Sequence, residues 1–160
     1  MNIRKVLIIL FFLLISQKVK SQEVEQKGKD SIQLDPVSPS NQKFSKANLL
    51  AYIKEIRIQY PFIVLRQGIH ESGHFKSRIF KENNNVFGMR KPVKRTSTAI
   101  GTNRGYAVYK TWKDSVIDYL LFQNRFIYKI DNENEYLHYL NKNYSAVGKL
   151  YSKRLLAIPL

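Results

Sequence analysis

The chain reads as an α+β domain that is predominantly helical, with one small β-hairpin excursion. Three observations lead there. Apolar residues recur at three- and four-residue spacing in Leu49, Leu50, Ile53 and Ile56, again in Phe62, Ile63, Val64, Leu65 and Ile69, and again in Val116, Ile117, Leu120, Leu121 and Phe126. That is the period of a helix burying one face. Between the second and third runs the period is lost, and Gly101, Asn103 and Gly105 punctuate stretches rich in threonine and valine, as in a hairpin. The chain has no cysteine, so no disulfide framework supports it and its core must come from burial. Residues 44–160 are of ordinary single-domain length, without internal repeat or heptad pattern, and a monomer is expected.

Ahead of that domain, residues 1–21 open with Arg4 and Lys5, run apolar from Val6 to Ile15 and close on Val19-Lys20-Ser21. This is the layout of a secretory signal cut before Gln22. The apolar run is short for a bilayer span; the alternative is an uncleaved anchor, the one way a membrane would be engaged. Without cysteine there is no lipoprotein attachment. Residues 22–43 are polar, hold Pro36 and Pro39 among serines and lack apolar periodicity, and so read as a flexible linker. The expected destination is outside the cytoplasm, in a periplasm or at the cell surface.

The formal net charge is +15, and +11 once residues 1–21, with four basic residues and no acid, are removed. Such a charge draws a protein to polyanions. For an exported chain, wall polymers and anionic headgroups come before nucleic acid, for which no recognition module accompanies the lysines. A solvated surface kept soluble by its lysines explains the charge equally well.

Ser45 is a good N-cap for the first helix. Tyr60 resists helical geometry because a proline follows it, and Pro61 suits a first helical position, so a second helix starts there. Ser72-Gly73 should end it, since glycine just past the last turn is the usual left-handed cap. Glu71 then lies in the last turn, where the negative end of the helix dipole opposes a second negative charge. Phe75, Phe80 and Phe87 would desolvate the carboxyl in the same direction. A carboxyl that keeps its proton near neutral pH suits a general acid, and Glu71 is the candidate.

Phe75 to Phe80 is a connection or short helix, and Asn83-Asn84-Asn85 a turn-rich block. Asparagine offers donors and acceptors together, so Asn84 and Asn85 are candidates for holding a polar ligand, while Asn83 serves local backbone groups just as well. Phe87 either walls the site or fills the core. The excursion should overhang the cleft, with Lys91, Lys94, Arg95 and Arg104 facing anionic groups or water. Tyr106 and Tyr109 either stack on flat ligand faces or sit in the core. Thr111 and Asp114 are spaced as a capping box for the next helix. Glu135 to Leu140 reads as a further short helix. Ser145 would cap a last helix carrying Val147, Leu150, Leu155 and Leu156, with Tyr144 at its mouth and Tyr151 packed in its interface.

Taken together, the apolar second helix, Glu71-Ser72-Gly73, Ser77 and Asn84-Asn85-Val86-Phe87-Gly88-Met89-Arg90 resemble the glucosaminidase family. These are the peptidoglycan-cleaving endo-β-N-acetylglucosaminidases of glycoside hydrolase family 73 and their Bax-like relatives, also described as mannosyl-glycoprotein endo-β-N-acetylglucosaminidase-like. Tyr106-Ala107-Val108-Tyr109, the helix from Trp112 to Leu121 and the segment from Tyr144 to Tyr151 follow in the family's order, so the resemblance spans about Ser45 to Ala157. It implies a lysozyme-like fold, peptidoglycan glycan strands as partner, hydrolysis of a β-1,4 bond after N-acetylglucosamine, and no cofactor. Glu71 is then the acid, and Tyr144 the tyrosine that approaches it, to bond the acetamido group or orient water. The resemblance also tilts Asn84 and Asn85 toward the cleft.

Two departures stand out. Many members carry a second carboxylate in the excursion, whereas no Asp or Glu occurs here between Glu82 and Asp114. Either Glu82 or Asp114 fills that role from another position, or the substrate's own acetamido oxygen assists, or catalysis has been lost and a glycan-binding module remains. Val147-Gly148-Lys149 also replaces the family's proline-containing turn.

His70-Glu71-Ser72-Gly73-His74 spells a rival, the HExxH pattern of zinc metalloproteases. That site needs a helix continuing through both histidines, yet Ser72-Gly73 is a terminator between them. It also needs a third ligand, and His138 is the only other histidine. The sequence therefore favours a glycosidase to which no metal is assigned, with the inactive binding module and the metalloprotease as alternatives.

Overall fold

The computed structural model describes residues 43–144, 148 and 150–160. The signal segment, the linker up to residue 42, and Ser145, Val147 and Lys149 lie outside the described residues. Among those described, six helices and one two-stranded sheet follow in the order α1 (Lys46–Glu55), α2 (Pro61–Glu71), α3 (Arg78–Asn83), β1 (Gly101–Asn103), β2 (Tyr106–Val108), α4 (Trp112–Phe126), α5 (Glu133–Asn143) and α6 (Leu150–Leu156). This is the predominantly helical α+β, lysozyme-like arrangement that the periodicity and the resemblance together anticipate.

Ser45 caps α1 by accepting the Asn48 N–H at 3.0 Å, and Leu49 and Ile53 go to the core. The chain then reverses through left-handed Arg57 and Tyr60. The side-chain amide of Gln123 pins this turn to α4, accepting from Gln59 N–H at 3.0 Å and donating to Gln59 O at 3.1 Å.

Helix α2 buries Ile63, Val64, Leu65, Gln67, Gly68 and Ile69, most of its circumference, and packs on α1 and α6. Such a helix is the axis of a core rather than its edge. Gly68 makes room: a Cβ there would sit 3.1 Å from Val86 Cγ1 and 3.4 Å from Leu49 Cδ2. The helix ends where Ser72-Gly73 predicts. Gly73 is left-handed, its N–H donates to His70 O at 3.1 Å, and His74 N–H reaches back to Ile69 O at 2.8 Å, which satisfies carbonyls that the helix leaves open.

Three asparagines, the last residue of α3 and the two after it, fasten the hairpin to that helix. Asn83 Nδ2 donates to Asn103 O (3.3 Å) and its Oδ1 accepts from Asn103 Nδ2 (2.9 Å). Asn84, left-handed at the helix end, donates to Tyr109 O (3.1 Å) and Lys110 O (3.0 Å). Asn85 donates to Met89 O (2.8 Å) and Ala107 O (2.9 Å), and accepts from Met89 N–H (3.1 Å). β1 and β2 pair antiparallel, Thr102 opposite Ala107, around Arg104-Gly105. Both turn residues have positive φ, as a two-residue hairpin loop matched to strand twist requires.

Thr111 and Asp114 form the expected capping box of α4. The face that α4 turns inward departs from the apolar pattern. Ser115, Asp118, Tyr119 and Gln123 are buried beside Trp112 and Val116, whereas Phe126 is 49% exposed. Each buried polar group has a partner: Ser115 Oγ accepts from Val86 N–H at 3.0 Å, and Asp118 takes both Arg95 (2.6 and 3.2 Å) and the Tyr109 hydroxyl (2.7 Å). Among the described residues no buried side-chain nitrogen or oxygen lacks a hydrogen-bond partner. At the end of the chain, Asn141 and Ser152 bracket α5 to α6, and Arg66 holds Ile158 O at 3.0 Å.

Because Asn85 satisfies three backbone groups in a buried setting, Asn85→Ala should cost about 2–4 kcal/mol of stability in a denaturant titration. A loss below about 0.5 kcal/mol would mean that those groups find other partners.

Candidate active site

Glu71, the last residue of α2, lines a cavity of about 400 Å³ with Phe87, Gly88, Met89, Arg90, Pro92, Arg95, Phe122, Phe126 and Tyr144. That volume suits a small-molecule or sugar-binding cleft. A cavity of about 510 Å³ beside α5 is larger, but its carboxylate, Glu135, is exposed and none of the expected site residues faces it.

The Tyr151 hydroxyl donates to Glu71 Oε1 at 2.6 Å. Gly88, at φ +62°, lies against the other oxygen: a Cβ there would come within 3.4 Å of Oε2. Glycine thus serves both the backbone conformation and the closeness of the cleft wall to the acid. Burial pushes the Glu71 carboxyl above its ordinary value of 4.5, against the downward pull of the Tyr151 hydrogen bond and the neighbouring His70. The upward direction is the one expected; its leading cause is burial.

Behind Tyr151 lies a buried chain of hydroxyls and amides. Gln67 Nε2 donates to the Tyr151 oxygen at 3.3 Å. Gln67 Oε1 lies 2.5 Å from the Tyr119 hydroxyl and 3.0 Å from that of Tyr136, and these two hydroxyls are 2.5 Å apart, so two phenolic protons serve three contacts. Gln123 Nε2 donates to the Tyr136 oxygen at 3.2 Å. Burial and the adjacent Glu71 raise the Tyr151 phenol far above its usual range, so it remains a donor.

Several expectations change. Tyr151, not Tyr144, reaches the acid: the Tyr144 hydroxyl donates to Phe87 O at 2.8 Å, although its ring lines the cleft and stacks on Tyr151. Asn84 and Asn85 spend their amide hydrogens on backbone carbonyls and do not line the cleft, so the sugar-binding role gives way to a framework one. Tyr109 is 2% exposed with its hydroxyl on Asp118, which removes it as a stacking platform. Tyr106 sits half-buried on β2, outside the cleft lining. Phe87 does both things left open for it, lining the cleft while packing on Tyr119 in the core. Phe75 and Phe80 belong to an aromatic cluster with Phe44 and do not line the cleft. The overhang is supplied by Met89 to Arg95; the hairpin tip is tied instead to Glu82 and Asn83 by Arg104 and Asn103.

Neither proposed second acid reaches the site. Glu82 is exposed and ion-paired with Arg78 and Arg104, which lower its pKa, and the Asp114 carboxylate caps α4. Among the described residues Glu71 is the only carboxylate lining this cleft. The zinc pattern loses its geometric premise, since His74 lies past the end of α2, left-handed and exposed, while the His70 ring packs edge-on against Tyr151. Tyr151, Gly88, Phe122 and Phe126 were not anticipated as site residues. The four-residue spacing of Phe122 and Phe126 on one stripe of α4 is a signal that could have found the latter two.

The family model described as mannosyl-glycoprotein endo-beta-N-acetylglucosaminidase matches residues 47–158. The chain belongs to the glucosaminidase family. That range takes in the whole cleft, with Glu71 and Tyr151, and it makes this a domain of glycoside hydrolase type. No curated protein and no solved structure matches the chain significantly.

The raised pKa of Glu71 carries a stability consequence for this glucosaminidase domain. Well below pH 4.5 both folded and unfolded states are protonated and the shift has no effect. As pH rises past the unfolded value of 4.5 the unfolded state ionises first and the fold loses stability, until the folded-state value is passed and the loss is complete. Glu71→Gln should therefore raise Tm at about pH 7 but not at about pH 3.5. Equal shifts at both would assign the change to something other than charge.

Proposed function

We propose that this glucosaminidase domain hydrolyses the β-1,4 bond after N-acetylglucosamine in peptidoglycan strands, outside the bacterial cytoplasm, with Glu71 as general acid. The observation that carries the reading is that Glu71, among the described residues the one carboxyl lining a sugar-sized cleft, has its pKa raised by burial and is oriented by a buried tyrosine. With Tyr151 on Oε1, Oε2 is the oxygen left to deliver a proton. As the C1–O bond breaks, the departing sugar oxygen takes that proton, and the Tyr151 hydroxyl stabilises the carboxylate left behind.

Because Glu82 and Asp114 are engaged elsewhere, the substrate's acetamido oxygen is the nucleophile that remains. It attacks C1 from the face opposite the leaving group and closes a five-membered ring. Water then opens that ring at C1, giving its proton to the Glu71 carboxylate and restoring the acid. Tyr144, whose ring lines the cleft, shapes the pocket for the acetamido group. That no second carboxylate lines the cleft among the described residues also favours one other reading, a glycan-binding module without turnover.

Zymography on purified wall material with mass analysis of the fragments separates the two. The wild-type chain should release fragments with a new reducing end on N-acetylglucosamine, and Glu71→Gln should lose a hundredfold to ten-thousandfold of that activity, as an order-of-magnitude estimate. Binding without fragments from the wild type would leave the module. The tyrosines give a finer test. Tyr151→Phe removes a bond that favours the ionised acid, so the alkaline limb of its pH profile should move upward, whereas Tyr144→Phe should leave that limb in place. The opposite pattern would return the acid's partner to Tyr144.

A further inference from the structure

We infer that the cleft continues past Arg95 into a second, basic cavity that binds a carboxylate-bearing branch of the sugar strand. This rests on the glycosidase reading of the cleft. The second cavity, about 330 Å³, is lined by Lys94, Arg95, Thr96, Leu121, Asn124 and Arg125. Arg95 lines both cavities.

The two cavities lie along neighbouring stripes of α4. Phe122 and Phe126, one turn apart, give the Glu71 cleft an apolar floor suited to sugar faces. Leu121, Asn124 and Arg125 carry the next stripe into the basic cavity. The dividing wall is fixed: Arg95 forks onto both oxygens of buried Asp118 and donates to Thr96 O at 2.8 Å. That pairing neutralises Arg95 and Asp118 together and leaves Lys94 and Arg125 to set the sign of the cavity. Among the described residues neither is in an ion pair, nor is Arg90 at the cleft's edge, and no carboxylate lines the second cavity.

N-acetylglucosamine is uncharged, so two cations beside its cleft do nothing for a bare neutral chain. A carboxylate projecting from the strand meets Lys94 and Arg125, with the Thr96 hydroxyl and Asn124 amide as neutral donors. Two sources carry that chemistry on a wall strand: the peptide branches, and, on sugars that carry no peptide, the free acid to which a branch would be joined.

The test uses the full chain carrying Glu71→Gln, so that binding is read without turnover, alone or combined with Lys94→Gln and Arg125→Gln, both exposed positions. Calorimetric titration compares soluble peptide-bearing strands, strands stripped of peptide that keep the sugar-borne acid, and a neutral N-acetylglucosamine oligomer. The double change should weaken binding of peptide-bearing strands about three- to tenfold at low salt. That difference should fade in roughly 0.5 M salt, with the neutral oligomer unaffected throughout. Weakening that disappears on stripped strands identifies the peptide as the ligand; weakening that persists there shows that the acid freed on the sugar takes the same site. Equal weakening on the neutral oligomer, unchanged binding of peptide-bearing strands by the double variant, or no binding of them at all overturns the inference. Wild-type hydrolysis of the same strands reports separately on the glycosidase reading, because charge-selective binding without cleavage would keep the cavity and reject the activity.

Discussion

The 2.6 Å hydrogen bond from Tyr151 to Glu71 joins the last helix of the domain to the last turn of its central one, and the cleft is organised around that join. Burial alone would raise the pKa of the carboxyl and leave its orientation open. The phenol fixes one oxygen and softens the penalty on the charged form, so the acid stays upward-shifted yet able to release its proton. The end of α2 sets where this happens. Had the helix run on past Ser72-Gly73, the next turn would occupy space through which the chain instead leaves toward α3.

What holds the acid and its partner in place is polar rather than apolar. Gln67, Tyr119, Tyr136 and Gln123 form a bonded chain through the middle of the core, and Asp118 ties Arg95 and Tyr109 to the same helix. A buried network of this kind adds little net stability over a well-packed apolar core, but it accepts few alternative geometries. For a catalytic group that is the useful property, since a proton donor must be held within a fraction of an ångström of its working position. The asparagine clasp does the same for the opposite wall, setting the Phe87–Met89 backbone against Glu71.

Local signals were legible in the sequence. The left-handed stop at Gly73, the proline start at Pro61, the Thr111–Asp114 box and the hairpin around Gly105 depend on neighbours within a few residues, and each stands where the chain's chemistry puts it. The misplacements have a common cause. An asparagine that binds a sugar and one that binds carbonyls more than twenty residues away look identical in a sequence, so Asn84 and Asn85 were read as ligand groups. Tyr144 and Tyr151 sit seven residues apart with similar surroundings, and only the packing of α6 on α2 brings the second to the acid. The inward stripe of α4 was misjudged because Ser115, Asp118 and Gln123 are polar, whereas the periodicity argument follows apolar residues.

The central claim is that Glu71 is a partly buried, tyrosine-bonded acid with an elevated pKa. A ¹³C NMR titration of the Glu71 side-chain carboxyl, assigned by its loss in Glu71→Gln, tests it directly. The account requires a midpoint above the ordinary 4.5, and a further rise when Tyr151 becomes phenylalanine. A midpoint at or below 4.5, or one indifferent to Tyr151, would contradict it.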